Sequence, residues 1–142
     1  MNKSNDIVVL GHTGFVGGNI YRKFLEDAAY RVQGFSSKDV NLLDEKSGQI
    51  LAGAYGRDAA IVMVAADSRV RNNNVEVLSN NIRIVLNFSA ALERARCGHV
   101  ILLSSIAVYG RTGKDPITEQ SPVNPDNFYA VAEVCREKIV KK

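Results

Sequence analysis

The sequence is poor in the residues that build disulfide frameworks and metal centres. It contains two cysteines, Cys97 and Cys135, which are too few for a disulfide framework. The segment Cys97-Gly-His99 lacks the further ligands that a zinc site requires. We therefore expect both cysteines to be structural thiols, and we predict no metal site.

Long apolar runs are also missing. No run approaches the roughly 18 residues needed to span a bilayer. The residues before Ile7 lead directly into a predicted strand rather than into the apolar core of a signal peptide. We expect a cytoplasmic protein that does not associate with membranes.

Charge is not concentrated in any segment. The net charge of +3 is spread along 142 residues without a basic block, so we expect no nucleic-acid partner. With 46% hydrophobic and 23% charged residues, the composition is that of one domain with one core, which buries roughly 70% of its unfolded surface.

Apolar runs of strand length alternate with longer segments of helical period. Ile7–Leu10 is short, continuous and rich in β-branched residues, as is typical of a strand buried on both faces of a parallel sheet. Val16, Ile20 and Phe24 recur at four-residue intervals and predict an amphipathic helix. The other predicted elements are strands at Arg31–Phe35, Val40–Leu43, Ala60–Ala66 and His99–Ser105, helices at Asp44–Ala54, Val75–Ala95 and from Phe128 onward, and a loop at Arg111–Asn127. This order predicts an α/β fold, a Rossmann-like doubly wound parallel sheet of about five strands, as one dinucleotide-binding domain over residues 1–142.

Three glycines stand where the first strand gives way to the first helix. In Gly11-His-Thr-Gly-Phe-Val-Gly17 they permit a tight turn and a close approach of the backbone to a pyrophosphate, while the helix N-terminus offers N–H groups to negative charge. The spacing is G-x-x-G-x-x-G rather than the G-x-G-x-x-G of the dehydrogenase fingerprint. A glycine-rich turn without a ligand is the alternative, but the position between strand and helix favours dinucleotide binding.

The segment after the second strand bears on the choice between NAD and NADP. NAD-binding proteins place an acid about 20 residues after the glycines, where it bonds the ribose 2′-hydroxyl. Here Gly34-Phe-Ser-Ser-Lys38 contains no acid, and the next one is Asp39. The hydroxyls of Ser36 and Ser37 and the charge of Lys38 suit a 2′-phosphate, so the sequence favours NADP over NAD. A plain surface turn is the alternative.

Several motifs follow one another in a recognisable order: Gly11–Gly17, Val64–Ala66, Asn80-Asn81, Ser104-Ser-Ile-Ala-Val-Tyr-Gly110 and Tyr129. In this combination, and over nearly its whole length, the chain resembles the NAD-dependent epimerase/dehydratase family of extended short-chain dehydrogenases/reductases. The resemblance implies an NAD(P)-dependent epimerase, dehydratase or reductase that acts on a nucleotide sugar. It also implies a homodimer formed through the helices at Val75–Ala95 and Phe128–Lys142.

The same resemblance implies a set of site residues. It places the three glycines around the pyrophosphate, Asn41 and Leu42 near the adenine, Ala65 and Ala66 along the cofactor, and Asn81 as a brace. The expected cofactor contacts are Gly11, His12, Thr13, Gly14, Phe15, Val16, Gly17, Ser36, Ser37, Lys38, Asn41, Leu42, Ala65, Ala66, Asn81 and Ser104. Ser105 matches the family's catalytic serine or threonine, and Tyr129 matches its catalytic tyrosine, which moves a proton on or off the reacting oxygen.

One position departs from the family pattern. The family has a lysine one helical turn after the tyrosine, which stabilises the phenolate and holds the nicotinamide ribose, and here that position is Glu133. At roughly 5 Å and an effective dielectric of about 20, a charge pair is worth about 3 kcal/mol, so an anion in place of a cation predicts a neutral Tyr129 phenol. Lys138 lies on another helical face and Arg136 lies about 10 Å farther along the axis, so neither is expected to replace the lysine. Ser105, Tyr129 and Glu133 are then the expected catalytic residues, with impaired proton transfer. The alternative is a solvated Glu133 beside a tyrosine that only packs.

Family members continue beyond the tyrosine helix with a smaller lobe that holds the nucleotide sugar. This chain stops at Lys142, so we expect the substrate lobe to be absent and the chain to be truncated relative to the family. Two further hypotheses stay open beside the enzyme. One is a non-catalytic NAD(P)-binding domain or pseudoenzyme fragment, and the other is a folded binding module without a cofactor.

Overall fold

A computed structural model describes residues 5–67, 73–111 and 116–140. Strands and helices alternate along these ranges. In chain order they are β1 Asp6–Leu10, α1 Phe15–Leu25, β2 Arg31–Phe35, α2 Ser47–Ala52, β3 Ala60–Met63, α3 Val75–Arg94, β4 His99–Leu102, a single 3₁₀ turn Ile106–Tyr109, and α4 Phe128–Val140.

The described strands form one parallel sheet in the order β2-β1-β3-β4. Ile7 of β1 lies opposite Val32 of β2 on one side and Ala60 of β3 on the other, and Ala60 in turn lies opposite His99 of β4. The chain moves from β1 to β2, then crosses back over β1 to β3, so the strand order reverses between β1 and β3. The carboxyl ends of these two strands therefore open a crevice, the place where ligands bind in open α/β sheets. This architecture confirms the predicted Rossmann-like α/β class.

The predicted strand at Val40–Leu43 is wrong, so the described sheet has one strand fewer than the five expected. These residues form turns instead, because the Asn41 side chain accepts a hydrogen bond from the Leu43 N–H (3.1 Å) and the Asp44 N–H donates to the Asn41 carbonyl (2.8 Å). Val40 and Leu42 are nevertheless buried. Their apolar alternation reflects a turn packed against the core, not a strand.

The central strands β1 and β3 are covered on both faces, which explains their continuous apolar character, whereas β2 and β4 are partly exposed. On one face Val8, Leu10, Ile61 and Met63 pack with fully buried Phe88 of α3 and with side chains from α2 and α4. On the other face Ile7, Val9 and Val62 pack against α1.

The strands β3 and β4 are shorter than predicted, yet the chain continues in the same direction beyond each. Two backbone hydrogen bonds hold these continuations against the neighbouring strands. The Val64 N–H donates to the Leu10 carbonyl and the Leu103 N–H donates to the Met63 carbonyl, each at 3.0 Å. The predicted loop at Arg111–Asn127 includes residues 112–115, and the predicted last helix includes residues 141 and 142. These six positions lie outside the described residues.

No helix in the described ranges is both long and apolar enough to cross a membrane. Across the same ranges, no group of three or more His, Cys, Asp or Glu side chains is arranged to hold a metal ion.

Candidate functional site

The turn between β1 and α1 is built from close backbone contacts that require glycine at two positions. Gly11 has a φ of 90°, and a Cβ there would lie 2.9 Å from the Ala65 amide nitrogen. A Cβ at Gly17 would lie 2.2 Å from the Gly11 carbonyl oxygen. These two glycines therefore allow helix α1 and the segment after β3 to approach the end of β1.

Gly14 differs from the other two, because the surrounding protein does not require a glycine there. Its φ of −78° and ψ of 170° suit any residue. Among the described residues, a Cβ at this position would meet only the Gly11 carbonyl oxygen within 4 Å, at 3.4 Å. A ligand that approaches the backbone closely would explain why this position is a glycine.

The N-terminus of α1 is suited to an anion. Gly14 is its N-cap residue and supplies no side-chain hydrogen bond, and the first turn contains no acid. The first N–H groups of a helix have no acceptor within the helix, and the helix dipole makes this end partly positive. The uncapped end of α1 therefore offers N–H groups to a phosphate.

A cavity of about 600 Å³ lies above this turn, at the carboxyl ends of the strands. Its walls come from the glycine turn, the segments that follow β2 and β3, the end of β4, and α4. The expected site residues among its lining are Gly11, Thr13, Gly14, Phe15, Val16, Gly17, Ser36, Ser37, Asn41, Leu42, Ala65, Ala66, Ser104, Tyr129 and Glu133. Four others, His12, Lys38, Asn81 and Ser105, are not part of this lining.

His12 packs away from the cavity. Its ring lies 5.0 Å from that of Tyr21 between centroids, and a Cβ at Gly34 would come within 2.4 Å of its Cγ. Its Nδ1 is buried and has no hydrogen-bond partner in the part of the chain that the structure describes. The imidazole thus fills the space between α1 and β2 that Gly34 leaves open.

The segment after β2 holds an acid to which the sequence pattern assigns no role. The carboxylate of Asp39 accepts hydrogen bonds from the Ser36 hydroxyl (2.6 Å) and from the Ser36 backbone N–H (2.8 Å). These hydrogen bonds hold the pKa of Asp39 below its ordinary value. Both donors of Ser36 are therefore turned toward an internal anion, while the Lys38 side chain is exposed nearby.

Asn81 lies behind the cavity wall, where it holds the segment after β3. Its side chain is fully buried, with Oδ1 accepting from the Asp67 N–H at 2.9 Å. Its Nδ2 donates to the carbonyls of Asp67 and Val77, both at 3.0 Å. Asn81 thereby links α3 to the segment that carries Ala65 and Ala66.

Tyr129 lines the cavity near the end of β4, and Ser105, whose hydroxyl accepts from the Ala107 N–H at 3.2 Å, is close enough to influence its phenol. Burial raises the pKa of Tyr129, and the neighbouring Glu133 carboxylate raises it further. Ser105 and Arg136 act in the opposite direction without reversing the shift. The phenol is therefore neutral at physiological pH, as the sequence predicted.

Glu133 is buried rather than solvated, and it is paired. Arg136 Nη1 donates to Glu133 Oε1 at 2.6 Å, and each side chain is only 1% exposed. Arg136 Nη2 donates to the Ala65 carbonyl at 3.0 Å, so the guanidinium bridges α4 and the segment after β3. Burial raises the pKa of Glu133 more than Arg136 lowers it.

The axial distance therefore underestimates the reach of Arg136, while the expectation that Arg136 does not replace the lysine stays a prediction. Its Cα does lie farther along α4, but side chains on a helix lean toward the N-terminus, and the long arginine reaches back into the same cavity as Tyr129 and Glu133. The three-residue spacing between Glu133 and Arg136 was the available sequence signal, since opposite charges at that spacing meet on one helical face.

A family model and several known proteins match this sequence. The model of the NAD dependent epimerase/dehydratase family matches residues 7–142. UDP-glucose 4-epimerase of Lactobacillus helveticus is 27% identical over 150 aligned positions, which cover 94% of this chain and 46% of that protein. The chain spans about half the length of the curated relatives that it matches.

Solved structures show the same fold. RMD from Pseudomonas aeruginosa, in complex with NADPH, is 26% identical with a TM-score of 0.77, over 96% of this chain and 47% of that one. A short-chain dehydrogenase/reductase superfamily protein from Agrobacterium tumefaciens with bound NAD is 24% identical with a TM-score of 0.72, over 96% and 44%. Relatives with this fold thus carry either dinucleotide. Since the family model covers nearly the whole sequence, the chain belongs to the NAD-dependent epimerase/dehydratase family.

Proposed function

We propose that this chain binds a nicotinamide dinucleotide in the cavity above the β1–α1 turn, as the cofactor-binding part of an enzyme that acts on a nucleotide sugar. The observation that carries the proposal is Gly14, a glycine that the fold does not require, at the uncapped N-terminus of α1. The residues present fit the group, because Gly11 and Gly17 close the turn while Gly14 leaves its outer side open.

The described residues suggest a role for each part of the cavity. The N–H groups at the start of α1 would hold the paired phosphates. Asn41 and Leu42 would lie beside the adenine, and Ala65 and Ala66 would line the path of the cofactor between β1 and β3. When bound, the nicotinamide would exchange a hydride with a sugar carbon.

Tyr129 and Ser105 would act on the sugar oxygen. Ser105 would orient that oxygen, and the Tyr129 phenol would donate a hydrogen bond or a proton to it. Because burial and Glu133 both raise the pKa of Tyr129, the phenolate is disfavoured, which works against proton abstraction by this residue at neutral pH. This observation favours a second candidate function, cofactor binding without turnover.

Two neighbouring side chains would set the choice between NAD and NADP in opposite directions. The charge of Lys38 supports the sequence-based preference for NADP. Asp39 opposes it, because its carboxylate already accepts from both donors of Ser36 and would repel a 2′-phosphate. We propose that NADP is preferred through Lys38, and that Asp39 weakens this preference.

Substrate binding and self-association are further proposals. The sugar would be held by a lobe outside residues 1–142, which act as the dinucleotide-binding domain. Exposed Val75 and Leu86 on α3 and Phe128 and Val131 on α4 support a homodimer formed through these two helices. Sedimentation of the unmutated chain and of a Leu86→Glu variant would test it.

Thermal protection tests the proposed function. A ligand at a hundred times its Kd adds about 2.7 kcal/mol to the stability of a folded protein. At roughly 2.1 cal/mol/K per residue, this raises the Tm of a chain of 142 residues by about 9 °C. We expect such protection by NADH or NADPH, both in the unmutated chain and in Tyr129→Phe.

The same pair of proteins separates the two candidate functions. Hydride exchange with a nucleotide sugar that disappears in Tyr129→Phe would establish an enzyme. Protection without any exchange in either protein would show that residues 1–142 bind the cofactor without turnover. If neither dinucleotide shifts the melting of a folded chain, the proposal is wrong.

A further inference from the structure

The charged side chains that line the cavity are concentrated at the end formed by α4 and the segment after β3. In the described part of the lining they are Asp67, Glu133 and Arg136. The Asp67 carboxylate accepts a hydrogen bond from Asn80 Nδ2 at 2.9 Å, and Glu133 is paired with Arg136. This end of the cavity therefore carries two carboxylates and one guanidinium, whereas the family pattern has a lysine at position 133.

The guanidinium of Arg136 is held in the cavity wall by two acceptors of the protein. Nη1 donates to Glu133 Oε1 at 2.6 Å, and Nη2 donates to the Ala65 carbonyl at 3.0 Å. Nε is buried and has no acceptor among the described residues. The carboxylate and the carbonyl dipole both offset the positive charge, so the pair leaves no net positive charge at the α4 end.

Tyr129 indicates the sign of the electrostatic field at this end. Burial is the main cause of its raised pKa and the Glu133 carboxylate is the second, while the Arg136 guanidinium lowers that pKa by less than Glu133 raises it. Glu133 dominates because it follows Tyr129 by one helical turn, whereas Arg136 begins nearly a turn farther along α4. The space beside the phenol is therefore at a negative potential, which stabilises a cation placed there.

The nicotinamide has to lie beside Tyr129 in the proposed function, on which this inference rests. Tyr129 would act on the oxygen of the sugar carbon that exchanges hydride, and reacting atoms approach to about 3–3.5 Å before such a transfer. The nicotinamide ring carries a positive charge in NAD and none in NADH. The adenosine, the phosphates and the second ribose are the same in the two forms, so only the ring distinguishes them.

We propose that the α4 end of the cavity selects the oxidised form of the dinucleotide, and that Glu133 is the residue that determines this selectivity. The field of the Glu133 carboxylate attracts the cationic ring of NAD and finds no charge to attract on the ring of NADH. A lysine at this position would do the opposite, because it would repel the oxidised ring. The exchange of a cation for Glu133 therefore keeps Tyr129 protonated and favours the oxidised cofactor through the same charge.

The expected selectivity follows from the strength of one charge interaction. At roughly 8 Å and an effective dielectric of about 20, a unit charge changes an affinity about thirtyfold. The opposite charge of Arg136 offsets part of this effect, so we expect NAD to bind the unmutated chain roughly tenfold more tightly than NADH. A tenfold difference corresponds to about 30 mV for a two-electron couple, so the midpoint potential of the bound couple should lie about 30 mV below that of the free couple.

Calorimetric titration with NAD and NADH at mildly alkaline pH tests the proposal through the ratio of the two dissociation constants. The ratio cancels every contact that the two forms share, including those with the phosphates and the riboses. The titrations are repeated on Glu133→Gln, on the double variant Glu133→Met/Arg136→Met, and on the control Lys138→Met, an exposed position of α4. NADP and NADPH should give the same ratio as NAD and NADH, because the 2′-phosphate belongs to the adenosine half.

The two variants should change the ratio by different amounts. In Glu133→Gln the selectivity should reverse in favour of NADH, because the guanidinium of Arg136 then repels the oxidised ring. In the double variant both charges are gone and apolar side chains of similar length fill the core, so the selectivity should fall by roughly threefold or more. The double variant also carries the test if Glu133→Gln does not fold. Lys138→Met should keep the ratio of the unmutated chain.

An unchanged ratio in folded Glu133→Gln or in the double variant would overturn the proposal. It also fails if NADH binds the unmutated chain as tightly as NAD. In each of these cases the dinucleotides still bind and the proposed function stands. If neither form binds a folded chain, the proposed function is wrong and the selectivity fails with it.

Discussion

Removing one member of the buried ion pair in α4 should destabilise the protein far more than removing both. In Arg136→Met the carboxylate of Glu133 stays buried without its partner, and in Glu133→Met the guanidinium of Arg136 does. Loss of one partner of a buried pair costs about 3–5 kcal/mol, whereas replacement of both by apolar side chains of similar volume is often neutral or stabilising. The burial of both groups, each 1% exposed, places this pair in that class.

The expected shifts in melting temperature follow from the size of the chain. At roughly 2.1 cal/mol/K per residue, 142 residues have an unfolding entropy of about 0.3 kcal/mol/K. A loss of about 3–5 kcal/mol then lowers the Tm by about 10–17 °C in each single variant. The double variant should melt within a few degrees of the unmutated chain.

Differential scanning calorimetry on the four proteins measures this difference, with Lys138→Met as the control for a change on the exposed side of α4. Single variants that melt like the unmutated chain would show that water reaches the pair, and the burial argument for Glu133 would be refuted. A double variant that melts as low as the singles would show instead that packing, and not the unpaired charge, dominates the loss.

Three further predictions concern other parts of the molecule. Asn81→Leu should lower the free energy of unfolding by about 2 kcal/mol in urea titrations, because the Asp67 N–H loses its buried acceptor. Asn81→Asp should not restore the donor that is lost. If Asn81→Leu is as stable as the unmutated chain, the bracing role is contradicted. Asp39→Asn should raise the affinity for NADPH relative to NADH, and Lys38→Met should lower it. If the ratio of the two dissociation constants is the same in both variants and in the unmutated chain, the electrostatic argument is contradicted. Burial raises the pKa of Tyr55 to about 12. The neutral phenol should therefore contribute stability that is present below pH 10 and lost as the pH rises through about 12. The free energy of unfolding, measured across that range, should depend less on pH in Tyr55→Phe.

The sequence was sufficient for the parts of the fold that rest on local pattern. The continuous apolar run Ile7–Leu10 predicted β1 to within a residue, because a strand covered on both faces needs apolar side chains throughout, and the predicted bounds of β2 are also confirmed. The run at Val40–Leu43 misled the prediction, since a turn that packs on the core can alternate apolar and polar residues as a strand does. Only the Asn41 side chain, which bonds the Leu43 N–H, distinguishes the two.

At the site, the sequence predicted many of the residues that line the cavity, but not their hydrogen-bond and ion-pair partners. The distance of Asp39 from the glycines gives it no expected role, yet its side chain folds back onto Ser36. The distance along the helix axis places Arg136 too far from Tyr129, but this estimate ignores the length and direction of the arginine side chain. Both errors concern where a long or flexible polar side chain ends, and that depends on tertiary contacts such as the Ala65 carbonyl.

The central claim, that the turn between β1 and α1 holds the phosphates of a dinucleotide, is tested most directly at Gly14. A Cβ there meets little of the protein but projects where the phosphates would lie, so Gly14→Val should change the free energy of unfolding by less than about 1 kcal/mol. Equilibrium dialysis of NADH and NADPH should then show binding to the unmutated chain and at least a tenfold weaker binding to this variant. Equal affinities in the two folded proteins would contradict the claim.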